Sequence, residues 1–188
     1  MNSPLEGDPL HAHHQPMNAN QSRLITIRPY GVADAAALTN LFRSSVREIA
    51  SRDYTAAQIR AWAPDEIDAV QFGRRCEAKS TWVAELEGRI AGFSDLEPDG
   101  HIDMLYVHPN FLRLGVARAL LEHIEETARI NALRRLYTEA SLTARPIFEV
   151  IGFRMVVPQT VTIRGESMTN YRMEVRRESR KEVISCVA

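Results

Sequence analysis

Four ionisable residues lie on either side of one predicted β-turn and could exchange protons with a substrate. The residues EPDG, starting at Glu97, carry proline and glycine where a type I turn followed by a left-handed glycine needs them. A three-residue loop, 98–100, would pair Glu97 with His101 and Asp95 with Asp103, so that all four side chains share one face. Opposed carboxylates raise the pKa of one member of the pair. Asp95, Glu97 and Asp103 are therefore predicted as candidate catalytic bases.

Two other interpretations of this acidic cluster stay open. A two-residue loop would turn Asp103 to the opposite face and separate it from the others, because successive side chains of a strand alternate. The same carboxylates could also form a solvent-exposed hairpin end that only lies near a cleft.

A second candidate site lies at the start of a predicted helix. Apolar residues recur at helical spacing and predict an amphipathic helix, with a stripe made by Val116, Leu120, Ile124 and Ala128. The first N–H groups of a helix have no intrahelical partner and carry the positive end of its dipole. Gly115 lets an anion approach these groups and Arg113 and Arg118 flank them, which predicts a phosphate or pyrophosphate site. The alternative is an ordinary helix start with two solvated arginines. The sequence has neither a P-loop nor a dinucleotide-binding motif, so a site of either of those two kinds is not expected.

The elements that must position these two sites alternate between strands and helices. Strands are predicted at 24–29, 80–86, 89–97, 101–107 and 136–140, and a closing hairpin turns around Arg164-Gly165-Glu166. Helices are predicted after Asp34, after the capping box of Thr55 and Gln58, over 66–78, between the strands 101–107 and 136–140, and over 143–151 up to Gly152. The helix between two strands implies a right-handed crossover that joins parallel strands. The predicted fold class is α/β (α+β), with helices packed on a mixed sheet.

The composition limits the class of protein and its partners. The chain has 188 residues, 45% of them hydrophobic, and a formal net charge of −1 from 23 basic and 24 acidic side chains. With so small a net charge, the protein as a whole has no positive electrostatic field that would attract nucleic acid. No apolar run reaches the ~18 residues of a membrane span. Two cysteines, Cys76 and Cys186, are too few for a disulfide framework or a metal cluster and favour a reduced, cytoplasmic setting. We expect no metal, no nucleic acid and no membrane partner.

Both ends of the chain have the composition of tails. Residues 1–22 are polar, contain prolines and show no periodicity, so disorder is predicted there. The histidines of this segment, His11, His13 and His14, lack acidic or thiol partners, which favours a solvated tail over a metal site. Residues 176–188 are predicted as a C-terminal tail, which leaves one domain over 23–175.

Three stretches, taken in order, resemble the GNAT N-acyltransferase superfamily over about residues 24–175. MLYVHPNF (104–111) resembles the strand that leads into the family's acyl-CoA loop, and LRLGVA (112–117) is similar to the pattern Gln/Arg-x-x-Gly-x-Gly/Ala. EASLTARPIFEVIGF (139–153) resembles the segment whose helix flanks the cofactor. The resemblance implies a single domain with a mostly antiparallel twisted sheet, a central parallel strand pair and helices on both faces.

The same resemblance implies an activity and its partners. The domain over 23–175 would be an N-acetyltransferase that moves an acetyl group from acetyl-CoA to a primary amine of a small molecule or peptide. The amine would attack directly in a ternary complex, and no metal would take part. Many proteins of this fold dimerise, so a homodimer is also among the expectations.

The resemblance also assigns cofactor contacts residue by residue. Leu105, Tyr106 and Val107 would pair through their backbone with the pantetheine arm, and the thioester would sit in the gap between their strand and its parallel neighbour. The pyrophosphate would be held by backbone N–H groups of Arg113, Leu114, Gly115, Val116, Ala117 and Arg118. The later segment would flank the cofactor with Ser141, Ala144, Arg145 and Phe148. Leu112 stands where the family usually has Gln or Arg, which removes one side-chain contact to phosphate.

Phe148 occupies a position where many family members have a tyrosine that acts as general acid. A phenyl ring cannot donate a proton, so either the thiolate leaves unassisted or one of three hydroxyls serves, from Tyr171, Tyr106 or Ser141. An acceptor pocket is expected in the first half of the chain, around Phe42, Tyr54, Ile59, Trp62 and Trp82, with Trp62 more readily explained as core. Two other classes stay open: a non-catalytic acyl-CoA-binding module or sensor, and an interaction protein that pairs through its last hairpin.

Overall fold

The computed structural model of the chain describes residues 24–177. The predictions for the N-terminal tail 1–22 with its histidines, and for Cys186, lie outside the described residues. The last strand ends at Arg176, the residue at which the C-terminal tail was predicted to begin. Within the described range, no helix combines the length and the apolar character that crossing a membrane requires.

The strands of the described range form two antiparallel sheets. The first sheet has the order β1-β2-β3-β4, with β1 at Ile25–Pro29, β2 at Ser80–Leu86, β3 at Arg89–Leu96 and β4 at Leu105–Val107. The second has the order β5-β7-β6, with β5 at Arg135–Ser141, β6 at Arg154–Ile163 and β7 at Glu166–Arg176. The strands predicted at 24–29, 80–86, 89–97 and 136–140 and the closing hairpin are therefore confirmed.

Helices cover both faces of the first sheet. Their bounds are α1 at Ala35–Ser44, α2 at Ala56–Trp62, α3 at Ala69–Glu77, α4 at Val116–Ile130 and α5 at Arg145–Ile151, and a π-helical turn at Ser45–Ile49 extends α1. Neighbouring residues of β2 show the two faces. Val83 packs in one cluster with α1 and α3, whereas Ala84 packs in another with α4. The predicted α/β class with helices on both faces is confirmed.

The two sheets meet at a parallel bridge between His101 and Tyr137. The Ile102 amide donates to the Tyr137 carbonyl at 2.8 Å, and the Tyr137 amide donates to the Gly100 carbonyl at 3.0 Å. Beyond this bridge β4 and β5 are not neighbours in either sheet. The predicted parallel pair is therefore reduced to one contact, and a gap opens between the two strands.

The strand predicted over 101–107 is wrong in its first half, because only Leu105–Val107 pairs with β3. The cause is the side chain of Asp95 near the end of β3. Its Oδ1 accepts hydrogen bonds from the amides of Asp103 at 2.9 Å and Met104 at 2.8 Å. A carboxylate thus takes the place of a strand partner, and the regular ladder stops.

The predicted helix starts differ in outcome. The capping box of α2 is confirmed: the Gln58 amide donates to Thr55 Oγ1 at 3.3 Å, and the Thr55 amide donates to Gln58 Oε1 at 2.8 Å. Asp34 does precede α1, but its side chain does not cap that helix. The carboxylate instead accepts two hydrogen bonds from Arg28, at 2.7 and 2.9 Å, because the guanidinium is a stronger donor than a backbone amide.

Candidate active site

A cleft of about 840 Å³ opens where β4 and β5 separate. One end is formed by the start of α4, the middle by β4 and β5, and the other end by α1, α2 and the β6–β7 hairpin. This volume lies in the range of about 300–1,000 Å³ that is typical of small-molecule sites. The two regions in which chemistry was predicted, the helix start and the acidic turn, both contribute residues to its walls.

The start of α4 can hold an anionic group. Gly115 has φ +87°, a left-handed conformation that glycine adopts without steric cost, and Arg113 has φ +61°. The first hydrogen bond of the helix runs from the Ala119 amide to the Gly115 carbonyl at 2.9 Å. Among the described residues, no oxygen accepts a hydrogen bond from the amides of 116–118. These amides and Arg113 therefore form the positive end of the cleft.

The middle of the cleft offers an unpaired strand edge. β4 pairs with β3 on one side, where Tyr106 lies opposite Phe93. Its other edge faces the gap, so backbone groups there can pair with an extended chain of amides. Across the gap, β5 ends at Ser141, whose Oγ accepts a hydrogen bond from the Ala144 amide at 3.0 Å.

Lys79 joins the three carboxylates that were predicted as bases. Its Nζ lies 2.5 Å from Asp103 Oδ2 and 3.5 Å from Asp95 Oδ2, and it also contacts Glu97 Oε1. Burial raises the pKa of Asp95 to about 6, while backbone hydrogen bonds act against that rise. Burial acts in the same direction on Asp103, but hydrogen bonds from Lys79 and Arg75 outweigh it and leave the pKa of Asp103 lowered. The pKa values of these two neighbouring carboxylates therefore shift in opposite directions, because burial dominates for Asp95 and hydrogen bonds from two cations dominate for Asp103.

The register of the acidic turn is only partly as predicted. The Glu97 amide donates to the His101 carbonyl at 2.8 Å, which confirms that pair. The direct opposition of Asp95 and Asp103 is wrong, because the Asp95 amide donates instead to the Met104 carbonyl at 3.2 Å. The two carboxylates still meet at one ammonium group, so the cluster forms through Lys79 and not through cross-strand pairing alone.

Glu139 on β5 is a second carboxylate of the cleft, which no sequence pattern indicated. His101 Nε2 lies 2.6 Å from Glu139 Oε2, and the His101 ring stacks on Tyr137 with centroids 4.8 Å apart. The parallel bridge between the sheets brings these side chains together. The whole of α4 separates them in sequence, so no local pattern could reveal the contact.

Two aromatic residues that the sequence linked to the question of proton donation, Phe148 and Tyr171, have well-defined neighbours in the structure. Phe148 is 2% exposed and packs against Phe153 with ring centroids 5.1 Å apart. Tyr171 does not line the cleft, and the Arg145 guanidinium lies 4.7 Å from the centre of its ring. The role of Tyr171 stays a prediction.

Tyr54 is a hydroxyl of the cleft that was considered only as part of an acceptor pocket. Its Oη accepts a hydrogen bond from the Leu142 amide at 2.9 Å and donates one to the Thr169 carbonyl at 2.7 Å. Burial raises the pKa of Tyr54, and the Leu142 amide opposes that rise by stabilising the ionised oxygen. The phenol of Tyr54, which precedes α2, therefore connects that segment to Leu142, which follows β5, and to Thr169 on β7.

The aromatic residues predicted for an acceptor pocket divide into two groups. Phe42, Tyr54 and Trp62 line the cleft. Trp62 also packs against Tyr54 with ring centroids 5.6 Å apart, as expected of a core residue. Ile59 is buried without lining the cleft, and Trp82 packs on the other face of its sheet against His123 at 5.0 Å, so both are wrong as pocket residues.

The predicted site residues also differ in their place relative to the cleft. Those that line it are Asp103, Leu105, Tyr106, Val107, Arg113, Gly115, Ala117, Arg118, Ser141, Ala144 and Phe148. Those that do not are Asp95, Glu97, Leu114, Val116, Arg145 and Tyr171. Leu114 and Val116 were predicted through their backbone amides, and a side chain that does not line the cleft does not exclude such a contact. Asp95 is 0% exposed and can reach a substrate only through Asp103 or Lys79.

Comparison with known proteins places the chain among acetyltransferases. The profile of the acetyltransferase (GNAT) domain family matches residues 50–175. The uncharacterized N-acetyltransferase YafP of Escherichia coli (strain K12) is 36% identical over 152 residues, which cover 81% of this chain and 96% of YafP. A GCN5-related N-acetyltransferase from Rhodopseudomonas palustris superposes with a TM-score of 0.77 at 34% identity, covering 81% of this chain and 95% of that one. The protein yncA of Salmonella typhimurium, solved with acetyl-CoA, shares the fold with a TM-score of 0.65 at 19% identity, covering 87% and 99%.

Proposed function

This chain belongs to the GNAT acetyltransferase family, and on that premise we propose that it transfers an acetyl group from acetyl-CoA to a primary amine of a small molecule or peptide. The amine would attack the thioester directly while both substrates are bound. The observation that carries the proposal is the continuity of one cleft, which runs from the α4 amides through the gap between β4 and β5 to α1 and α2. A donor and an acceptor bound at its two ends would meet in the gap.

The residues of the chain fit the donor at each of its parts. The amides of 113–118 would hold the pyrophosphate, since those at the helix start have no other acceptor in the described range. The open edge of β4 would pair with the amides of the pantetheine arm. Ser141, Ala144 and Phe148 line the cleft beside this path. The fold shared with yncA, which was solved with acetyl-CoA, supports this choice of donor.

Acetyl-CoA would supply an activated acetyl group: the amine nitrogen bonds to the carbonyl carbon, and the carbon–sulfur bond breaks with its electron pair on sulfur. The nitrogen loses one proton to a base and the sulfur gains one from an acid, and exchange with water afterwards returns both protein groups to their starting state. Asp103, the predicted base that lines the cleft, would accept the proton from nitrogen. Asp95 and Glu97 would act through Lys79 as positioning residues, since that ammonium contacts all three carboxylates.

Tyr54 is our proposal for the proton donor in place of the missing tyrosine at Phe148. Its hydroxyl lies in the cleft wall, and the Leu142 amide already points at its oxygen. Its hydrogen would turn from the Thr169 carbonyl toward the sulfur as the thiolate leaves. An amide donor stabilises the ionised phenol that remains after a proton has left. Ser141 and Tyr106 also line the cleft and stay as alternatives.

Ligand titration and turnover together test this function. Calorimetry with acetyl-CoA and CoA is expected to show binding, and a panel of amines with acetyl-CoA is expected to release free thiol. Absence of heat with CoA at about millimolar concentration would contradict the donor assignment, because even weak sites register there. Binding without thiol release from any amine would favour the second candidate, a non-catalytic acyl-CoA-binding module. Phe148 and Leu112, which depart from the family pattern, are the observations that keep that candidate in place.

A homodimer and a cytoplasmic location complete the proposed function. β6 is an edge strand and exposes Met155 at 45%, Val156 at 54% and Val157 at 45%. Exposed apolar edge strands favour pairing with another chain, so a dimer through β6 is expected. Sedimentation of the wild type and of Val156→Lys is expected to show a dimer and a monomer, respectively. The cytoplasmic location and the domain bounds 23–175 stay predictions from sequence.

A further inference from the structure

The acceptor end of the cleft is walled mainly by aromatic and aliphatic side chains. We call it the acceptor compartment and define it by Phe42, Val46, Trp62, Tyr106, Val161 and Met168, all of which line the cleft. The ring of Tyr106 is its centre: Phe42 lies 4.9 Å away at an interplanar angle of 89°, and Trp62 lies 6.5 Å away at 62°. Because aromatic rings pack edge to face, such walls favour a further flat apolar ring over an extended polar chain.

The carboxylates that line the cleft in the described range both have partners already. Asp103 is held by Arg75 at 2.5 Å and by Lys79 at 2.5 Å. Glu139 is held by His101 at 2.6 Å. An ammonium that entered the acceptor compartment would lose its water and find no carboxylate of its own, which is costly. A polyamine or a lysine side chain is therefore a poor match for this compartment.

One polar atom in the cleft wall does lack a partner. The Oδ1 of Asn170 is buried and accepts no hydrogen bond from the described residues. Asn170 lies opposite Ser141 in the pairing of β7 with β5, so the two side chains share one face at the end of the gap. An unsatisfied buried acceptor is unfavourable unless a ligand supplies the donor, and an N–H of the acceptor substrate is such a donor.

We propose that the acceptor is an aromatic amine, with its ring in the acceptor compartment and its nitrogen donating a hydrogen bond to Asn170. This inference rests on the proposed acetyl transfer and names its substrate class. The lone pair of an aromatic amine is partly delocalised into the ring, so the amine is uncharged at neutral pH and needs no deprotonation before attack. Its lone pair forms the new bond to the carbonyl carbon, the sulfur leaves with the electrons of its bond, and the proton passes from nitrogen to Asp103.

A weak base is enough for an aromatic amine, which is consistent with the lowered pKa of the proposed base, Asp103. Asp103 is paired with two cations, and their hydrogen bonds leave its pKa lowered. Such a carboxylate could not take a proton from an aliphatic ammonium to a useful extent. It can take one from an aromatic amine whose nitrogen has begun to bond to the acetyl carbon, because that N–H is then strongly acidic.

A matched panel of aniline, benzylamine and spermidine with acetyl-CoA tests the proposal. We expect kcat/KM for aniline to exceed that for the other two by about tenfold or more. We also expect the aniline rate to be nearly flat between about pH 7 and pH 9, whereas an aliphatic amine would gain rate as its ammonium loses a proton. Turnover of benzylamine or spermidine in preference to aniline would overturn the inference and leave the proposed acetyl transfer intact. Failure to bind CoA, or to acetylate any amine, would contradict both the proposed acetyl transfer and the proposed aromatic acceptor.

A pair of variants tests the compartment itself. Val161→Glu places a carboxylate on a cleft-lining position of β6, and Thr162→Glu places one on the adjacent exposed position that does not line the cleft. Val161→Glu is expected to lower kcat/KM for aniline by about tenfold or more and to lower it less for benzylamine, because it supplies the missing counter-charge. Thr162→Glu is expected to leave both values and CoA affinity unchanged. Equal losses for the two amines in Val161→Glu, at unchanged CoA affinity, would count against an uncharged acceptor.

Asn170 is tested separately, because its substitution should act on the acceptor alone. Asn170→Ala is expected to raise KM for aniline about tenfold, the usual cost of one hydrogen bond, while CoA affinity stays the same. An unchanged KM for aniline in a folded Asn170→Ala protein would overturn the assigned contact.

Discussion

Lys79 Nζ lies 2.5 Å from Asp103 Oδ2, so an ammonium from the turn between α3 and β2 neutralises the carboxylate that lines the cleft. The same ammonium lies 3.5 Å from Asp95, whose carboxylate is fully buried. Without that cation, several carboxylates would repel one another in a region that excludes water. Lys79 therefore supports both the fold and the protonation state of the proposed active site.

Removal of Lys79 is expected to destabilise the protein in a pH-dependent way. Lys79→Met should cost about 3 kcal/mol of unfolding free energy at neutral pH, because it leaves the buried carboxylate of Asp95 and the partly buried ones of Asp103 and Glu97 without their shared counter-charge. Much of the loss should be recovered below about pH 5, where those carboxylates take up protons. Urea unfolding at several pH values measures this. Arg75→Met, which removes an exposed partner of Asp103, is the control and should cost less than about 1 kcal/mol.

Asp95 is expected to make the folded state less stable as pH rises. Its pKa is about 6 in the folded protein against 3.8 for a solvent-exposed aspartate, so the folded state binds the proton more tightly than the unfolded state does. The stabilising contribution of the protonated form is complete below about pH 4 and is lost as pH rises through 6. The total is roughly 3 kcal/mol, at about 1.4 kcal/mol for each pH unit between the two values.

Asp95→Asn is the variant that measures this contribution. Relative to wild type, its unfolding free energy should improve steadily from about pH 4 to pH 7, because asparagine has no carboxyl proton to lose. Chemical unfolding of both proteins across that range gives the difference directly. A difference that does not change with pH would show that the Asp95 pKa is not raised by folding.

Substitution of Gly115 is expected to abolish coenzyme A binding without unfolding the protein. Gly115→Glu forces a side chain into a left-handed conformation, at a cost of about 1–2 kcal/mol, and points a carboxylate at the amides that would hold phosphate. A Cβ at this position would meet only Ile25 Cδ1, at 3.8 Å, so the fold has room for it.

Gly88→Glu is the matched control for that experiment. Gly88 also has positive φ, +72°, and lies in the turn between β2 and β3 with nothing within 4 Å of an added Cβ. Both variants should show similar losses in Tm, but only Gly115→Glu should lose CoA affinity, by about a hundredfold or more since two interactions fail together. Equal CoA affinities in the two variants would contradict the phosphate assignment.

If Tyr54 is the proton donor, a phenol introduced at position 148 should restore activity that is lost when the Tyr54 hydroxyl is removed. Tyr54→Phe should lower kcat more than it lowers acetyl-CoA affinity, and it should cost about 1–3 kcal/mol of stability because the Leu142 amide and the Thr169 carbonyl lose their partner. Phe148→Tyr in the same protein restores a phenol at the position where the family usually has one. We expect the double variant to recover kcat by about tenfold relative to Tyr54→Phe. Recovery of stability without recovery of kcat would assign Tyr54 a structural role only.

Local patterns predicted most of the elements and one half of the candidate site. The apolar stripe of α4, the glycine before it and the capping box of Thr55 depend on residues three or four apart, and all three are present. The strands 80–86 and 89–97 were also predicted, and pairing them and extending the register by one residue would have brought Lys79 close to Leu96 and Glu97. The irregularity at Ala84 and Glu85 shifts the pairing, which is why counting from the turn alone gives the wrong partner.

The sequence by itself determined where the proposed phosphate-binding turn and the acidic cluster lie, because neighbouring residues dictate helix starts and tight turns. Only the tertiary structure decided which side chains meet. It placed Lys79 among three carboxylates, Glu139 against His101, and the Tyr54 hydroxyl between the ends of β5 and β7. The physical reason is that β4 and β5 touch at one bridge and then part. The contacts across that gap depend on how two separate sheets pack, which no spacing along a single chain segment encodes.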